Sequence, residues 1–337
     1  MASYSADPSA RPAASALSRV KAVVFDRYGA PEVLRAIELP MPQAAPGEIR
    51  VRVRAAGVRP SDIALRRGLN LAAPGDGFKA FPRRLGNEFA GVVDQLGDGV
   101  SEFAIGDEVM GWAAAMSYAE ALTVPAGQAV RKPVTMSWAV AGALPSTGQT
   151  AHNALRRLQV GAGDTVFIHG AASGIGSVAV QLARIWGVQV IGSAAADDHA
   201  YLRSLGAQPV LDDDSGIEQA RAFAAHGVDA MFDACCDPSF PAWTGLCADA
   251  SRIATLCDTE QTRRLGLRIL HSQRSRECLA ELVAMHERHG LLVHVREMFP
   301  LTRAAEAHRA VERGPARGKV VLMVYEAMPA ALLRLSA

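Results

Sequence analysis

The most specific chemistry in the chain lies in the run Val166-Phe-Ile-His-Gly-Ala-Ala-Ser-Gly-Ile-Gly176. A short apolar strand ends in small residues, and a helix then opens with apolar positions at Val178, Leu182 and Ile185. A turn of this kind aims backbone N–H groups at a helix N-terminus, where a pyrophosphate is held. The common Gly-x-Gly-x-x-Gly becomes Ala171-x-Ser173-x-x-Gly176, with an added Gly174. Ala and Ser still let a ligand approach the backbone, and Gly176 lets helix and strand pack closely. In its strand–turn–helix context the pattern predicts a dinucleotide cradle built by Ala171, Ala172, Ser173, Gly174, Ile175 and Gly176. An acid at the tip of the next strand would take the ribose hydroxyls of NAD. The strand reads Val190-Ile-Gly-Ser193-Ala-Ala-Ala196, with no acid at its tip. NADP(H) is therefore expected, with Ser193, His199 and Arg203 as candidate contacts to a 2′-phosphate. Asp197 and Asp198 follow at once and could fold back, and His199 and Arg203 also suit an ordinary solvated helix.

These residues need elements to position them. Residues 20–125 read as β-rich: Lys21–Phe25, Ile49–Arg54, Glu88–Asp94 and Asp107–Gly111 have strand character between Gly and Pro punctuation. From about Ser137 strands alternate with helices, at Thr165–His169, Ile175–Trp186, Val188–Ile191, Asp198–Leu205, Pro209–Leu211, Ile217–Ala225, Val228–Phe232 and Arg252–Leu256. That rhythm implies a doubly wound parallel α/β sheet. A helix through His308 then leads to a last strand, Lys319–Val324. Residues 1–19, rich in Ala, Ser and Pro, read as a disordered tail, and Gly68–Pro82 as a loop.

Composition narrows the function. Among 337 residues, 35 Lys and Arg face 34 Asp and Glu, so a nucleic-acid partner is not expected. No apolar run is long enough to span a bilayer, and a cytoplasmic protein is expected. Cys235, Cys236, Cys247, Cys257 and Cys278 are odd in number and lack C-x-x-C spacing, which disfavours a disulfide framework or a zinc ribbon. They are expected to be small buried hydrophobes, with redox activity of Cys235-Cys236 as the other reading.

Gly57-Val-Arg-Pro-Ser-Asp62, Leu85-Gly-Asn-Glu-Phe-Ala-Gly91, Phe103–Val109, Gly170–Gly176 and Gly318-Lys-Val-Val-Leu322, in this order, resemble the medium-chain dehydrogenase/reductase superfamily. The branch is that of the zinc-free quinone oxidoreductases and enoyl reductases. The resemblance implies a GroES-like catalytic domain at 20–140 and 299–337, a Rossmann domain at 141–298, and a cleft for NADP(H). It also implies a homodimer built by pairing edge strands. Where zinc members carry their catalytic ligands this chain has Arg59, Asn87 and Ala143, none of which suits zinc. No metal is expected.

By the same resemblance Arg59 is a candidate to hold a substrate oxygen in place of the metal, against the alternative of a salt bridge to Glu88 or Asp62. Ser61 aligns with a proton-relaying hydroxyl, and Thr147 would border the nicotinamide. Asn87 is a candidate substrate donor, Tyr118 a candidate proton donor or rim aromatic, and Lys319 a candidate cofactor contact. The substrate expected is a quinone or an α,β-unsaturated carbonyl. The alternatives are a tailoring reductase of a biosynthetic pathway and a non-catalytic NADP(H) sensor. Its pocket is expected from Gly68–Pro82, Trp112–Tyr118 and Pro238–Leu246.

Overall fold

Two large sheets, one antiparallel in the main and one parallel, and a small antiparallel sheet of Arg35–Pro40, Arg19–Phe25 and Arg83–Arg84 organise the chain in a computed structural model that describes residues 19–69, 81–271, 273–314 and 316–324. The N-terminal tail and most of the Gly68–Pro82 loop lie outside the described residues. In the first sheet the order is Val295–Pro300, Lys319–Met323, Glu48–Val58, Glu88–Leu96, Glu108–Trp112, Ala129–Arg131, with Ala121–Pro125 also pairing on Glu48–Val58. Strands from both ends of the chain thus meet in one sheet. Alternation explains the long central strand: Ile49, Val51 and Val53 point into the core. Arg50 and Arg52 point outward, and both pair with Asp94 on the neighbouring strand at 2.7 Å.

The second sheet is parallel, in the order Gln208–Val210, Gln189–Ser193, Thr165–His169, Ala230–Asp233, Ile253–Thr255, Arg268–Ile269. Counted along the chain these strands run 3-2-1-4-5-6. The order reverses between Thr165–His169 and Ala230–Asp233, and ligands of such sheets bind at that switch point. The doubly wound α/β reading holds, and its strands fall within a few residues of the sequence expectation.

Between the sheets lies a helix the sequence analysis does not anticipate, Trp138–Arg157. Ser137 caps it by accepting the Val140 N–H. Gly142 lies so close to the long strand that a Cβ there would fall 2.6 Å from that of Ala55. Pro145 interrupts its hydrogen-bond ladder. The N–H groups of Ser146 and Thr147 turn instead to the Glu88 carboxylate, at 2.8 and 3.3 Å.

One expectation needs correction. Cys236 and Cys257 form a disulfide. They are 21 residues apart in sequence, but each follows one of two adjacent parallel strands, which brings them together. In the segment Pro238–Leu246 three apolar side chains turn inward. Phe240, Trp243 and Leu246 are buried on the parallel sheet, with Trp243 stacked on Phe167 at 4.8 Å.

Candidate functional site

At the switch point, Ser173 caps the helix Gly174–Ile185 by accepting the Gly176 N–H at 3.0 Å. A Cβ on Gly176 would lie 2.3 Å from the Gly170 carbonyl oxygen, so only glycine lets the turn close. The N–H groups of Gly174 and Ile175 remain at the positive end of the helix, which suits a dinucleotide pyrophosphate. Gly318 donates its N–H to the Ala172 carbonyl at 3.1 Å, which ties the last strand of the catalytic sheet to this turn.

Other expected cofactor contacts lie differently. Ser193 is fully buried: its hydroxyl bonds His169 Nδ1 at 2.8 Å and accepts the Gly170 N–H, so it braces the turn from beneath. His199 Nε2 lies 3.2 Å from the carbonyls of both Ala194 and Val210, pinned to local backbone. Arg203 is exposed in the last turn of the short helix His199–Ser204. These three are not gathered into a phosphate pocket. Asp198 does fold back, but Arg317 pairs with it at 2.7 Å and neutralises it.

The long strand ends at Val58, and Arg59 leads into a helix that begins at Pro60. Asp62, in its first turn, is completely buried. It accepts the Arg59 N–H at 2.9 Å, Asn87 Nδ2 at 2.8 Å and the Tyr118 hydroxyl at 3.3 Å. Burial raises its carboxyl above the usual range, against the opposing pull of Arg59. Tyr118 has no exposed surface and sits between Asp62 and His308 Nε2. Burial, then Asp62, pushes its phenol well up. That corrects the expectation of a proton donor or rim aromatic: Tyr118 is an internal strut, out of a substrate's reach.

Glu88 is likewise fully buried, with Ser146 N, Thr147 N and the Lys319 ammonium as donors. The Lys319–Glu88 distance is 2.7 Å. Lys319 thus comes to the cofactor turn with its charge already paired, and its methylenes pass beneath Gly174, where a Cβ would meet them at 2.7 Å. Thr147 is almost wholly buried on the same kinked helix, and Ser146 Oγ donates to the Asn87 carbonyl.

With both carboxylates so occupied, the salt bridge from Arg59 to Glu88 or Asp62 does not form, and Arg59 makes no ion pair among the described residues. The hydroxyl of Ser61, two residues on, is buried without a hydrogen-bond partner. A third group enters that the sequence analysis missed, Arg274, from the loop before the helix Arg276–His289. Its Nη1 lies 3.4 Å from the Asn87 carbonyl and its Nε has no partner. Burial and the neighbouring Arg59 pull its pKa down to about 10. No motif marks Arg274, and only the fold carries it across the cleft.

The residues at the zinc positions are as the sequence has them: a guanidinium, an amide already given to Asp62, and buried Ala143. Among the described residues the one group with metal-ligand spacing is His169, Cys235 and Asp237, beside the cofactor turn.

Residues 45–133 match the alcohol dehydrogenase GroES-like domain, and residues 205–322 match a zinc-binding dehydrogenase domain. The quinone oxidoreductase of Coxiella burnetii is 30% identical, with a TM-score of 0.81, over 91% of this chain and all of that one. The pikromycin polyketide synthase component PikAII of Streptomyces venezuelae is 32% identical over 82% of this chain, which spans only 8% of that protein. The mitochondrial NAD(P)H oxidoreductase RTN4IP1 of Bos taurus is 27% identical, over 89% of this chain and 88% of its own.

Proposed function

This chain belongs to the medium-chain dehydrogenase/reductase superfamily, among the quinone oxidoreductases and enoyl reductases, and from that premise we propose a zinc-independent reductase of quinones or α,β-unsaturated carbonyls that uses NADPH. The observation that carries the reading is an Arg59 guanidinium with no ion pair among the described residues, two residues before the buried, unpartnered Ser61 hydroxyl. Bound NADPH supplies the hydride. The N–H groups of Gly174 and Ile175 hold its pyrophosphate, and the missing acid at Ser193 favours a 2′-phosphate over a bare ribose.

Arg59 holds the acceptor oxygen as negative charge builds on it, in a cleft where a fixed cation acts at full strength. Ser61 Oγ donates a hydrogen bond to that oxygen, and a proton from water completes the reduction. A conjugated acceptor suits this site because its charge spreads into an enolate or hydroquinone. A simple alkoxide would need a stronger Lewis acid. The likeness to a polyketide synthase component supports a second reading, a tailoring enoyl reductase of a biosynthetic pathway. The homodimer expected through edge-strand pairing would use one of the two edges of the parallel sheet, Gln208–Val210 or Arg268–Ile269.

The test is oxidation of NADPH and NADH by metal-stripped protein offered a panel of quinones and enones. Turnover faster with NADPH, and reduced in Arg59→Ala, is expected. NADPH binding with no acceptor reduced would overturn the reading and leave a cofactor-sensing protein.

A further inference from the structure

We infer that the acceptor carries a permanent negative charge, a carboxylate close to its reducible enone or quinone, gripped by Arg59 from one side of the cleft and Arg274 from the other. The inference rests on the reductase reading and specifies its substrate class.

The argument is a count of charges and partners. Three cations lie about Asn87 and Glu88: Lys319 pairs with Glu88, Arg274 reaches the Asn87 carbonyl, and Arg59 is tied to Asn87 through Asp62. Two carboxylates face them, and both are occupied. Glu88 takes Lys319 and two backbone N–H groups. Asp62 takes the Arg59 N–H, the Asn87 amide and the Tyr118 hydroxyl. Neither guanidinium of the arginine pair is left a carboxylate. Arg274 keeps an unpartnered buried Nε, and its hydrogen bond among the described residues is a long one to the Asn87 carbonyl. Ser61 Oγ adds a third unsatisfied donor.

Arg59 and Arg274 oppose one another in the free protein, and the field of Glu88 and Asp62 offsets that opposition without pairing with either guanidinium. Charge that develops on a single oxygen in the transition state calls for one such cation. A pair of planar forks suits a carboxylate, which accepts parallel N–H bonds on both oxygens. The pyrophosphate of the cofactor is not the missing anion, because it belongs at Gly174, whereas Arg274 touches the Asn87 carbonyl.

The probe is a matched pair, 4-oxopent-2-enoate and its methyl ester, with NADPH oxidation followed at neutral pH. We expect kcat/KM for the acid to exceed that for the ester by about tenfold or more, the worth of one charge-assisted hydrogen bond. Arg274→Gln should bring this ratio toward one, through KM for the acid more than through kcat, and Arg274→Lys should restore part of it. A binding measurement covers a variant that fails to fold: the saturated 4-oxopentanoate should raise the melting temperature of the NADPH-loaded wild-type protein, and its methyl ester should not. An ester reduced as fast as the acid, or 4-oxopentanoate without effect on melting, overturns the inference and leaves the reductase reading standing. If neither compound is reduced while 4-oxopentanoate still stabilises the protein, the anion site stands and the reductase reading fails.

Discussion

Glu88 holds the site together from within, because three donors, one of them the Lys319 ammonium, converge on a carboxylate with no access to water. Breaking a buried ion pair leaves an uncompensated charge and costs about 3–5 kcal/mol. Lys319→Met is expected to lower the unfolding free energy by that order in a urea titration, and adding Glu88→Gln should recover part of the loss. A change within about 1 kcal/mol would show that Lys319 is not held as a buried charge. His308 offers a test by pH. Burial, then Arg66, pushes its pKa down from 6.5 to about 3, so the folded protein keeps it neutral. The unfolded chain binds a proton below 6.5 that the folded chain refuses. The contribution is therefore complete above pH 6.5 and is lost as pH falls toward 3. Stability should decline below pH 6.5, and His308→Gln should flatten that slope; parallel profiles for the two proteins would refute this role. Asp62 and Glu88 are visible in the sequence only as acids near a motif, since what fixes their roles is the set of donors that burial forces on them.

The turn from Thr165–His169 into Gly174–Ile185 is the element with least tolerance, because the atom that a Gly176 Cβ would strike is a backbone carbonyl with nowhere to move. Gly176→Ala is expected to open the turn and weaken NADPH binding by about tenfold or more, read by titration of nicotinamide fluorescence. Affinity within about twofold of wild type would mean that the turn does not hold the cofactor. This element was legible because a short apolar strand, small residues and a 3.6-residue apolar period stand in the one order the cradle requires. The strands Ile49–Arg54 and Glu88–Asp94 were legible for a similar reason, alternation on a half-buried face. Trp138–Arg157 was not: Gly142, Pro145 and Gly148 argue against a helix locally, and its place between two sheets overrides that preference. The Cys236–Cys257 pair was hidden too, since parallel neighbours bring together residues that sequence spacing keeps apart. Thiol titration of the denatured, unreduced protein should therefore find three free thiols, Cys235, Cys247 and Cys278. Five would show that the disulfide is absent.

At the scale of the molecule, each sheet keeps an apolar cluster of its own, but the largest cluster is shared between them. Ala55, Ala90 and Met110 of the catalytic sheet share one apolar cluster with Val166, Ile168 and Phe232 of the parallel sheet, joined through Ala141, Leu144 and Ala151 of the kinked helix. The Gly318–Ala172 bond crosses the same boundary. Opening one sheet would strip apolar cover from the other, so neither half can unfold cheaply alone. Scanning calorimetry should therefore show one cooperative transition, with the measured and van't Hoff enthalpies in agreement. A ligand that binds only the joined, folded state stabilises the whole of it by mass action, about 2.7 kcal/mol at one hundred times its dissociation constant. NADPH at that excess should shift the single peak upward without splitting it. Two resolved transitions, only one of them moved by NADPH, would mean that the shared core does not couple the sheets and that the cofactor is held by the parallel sheet alone.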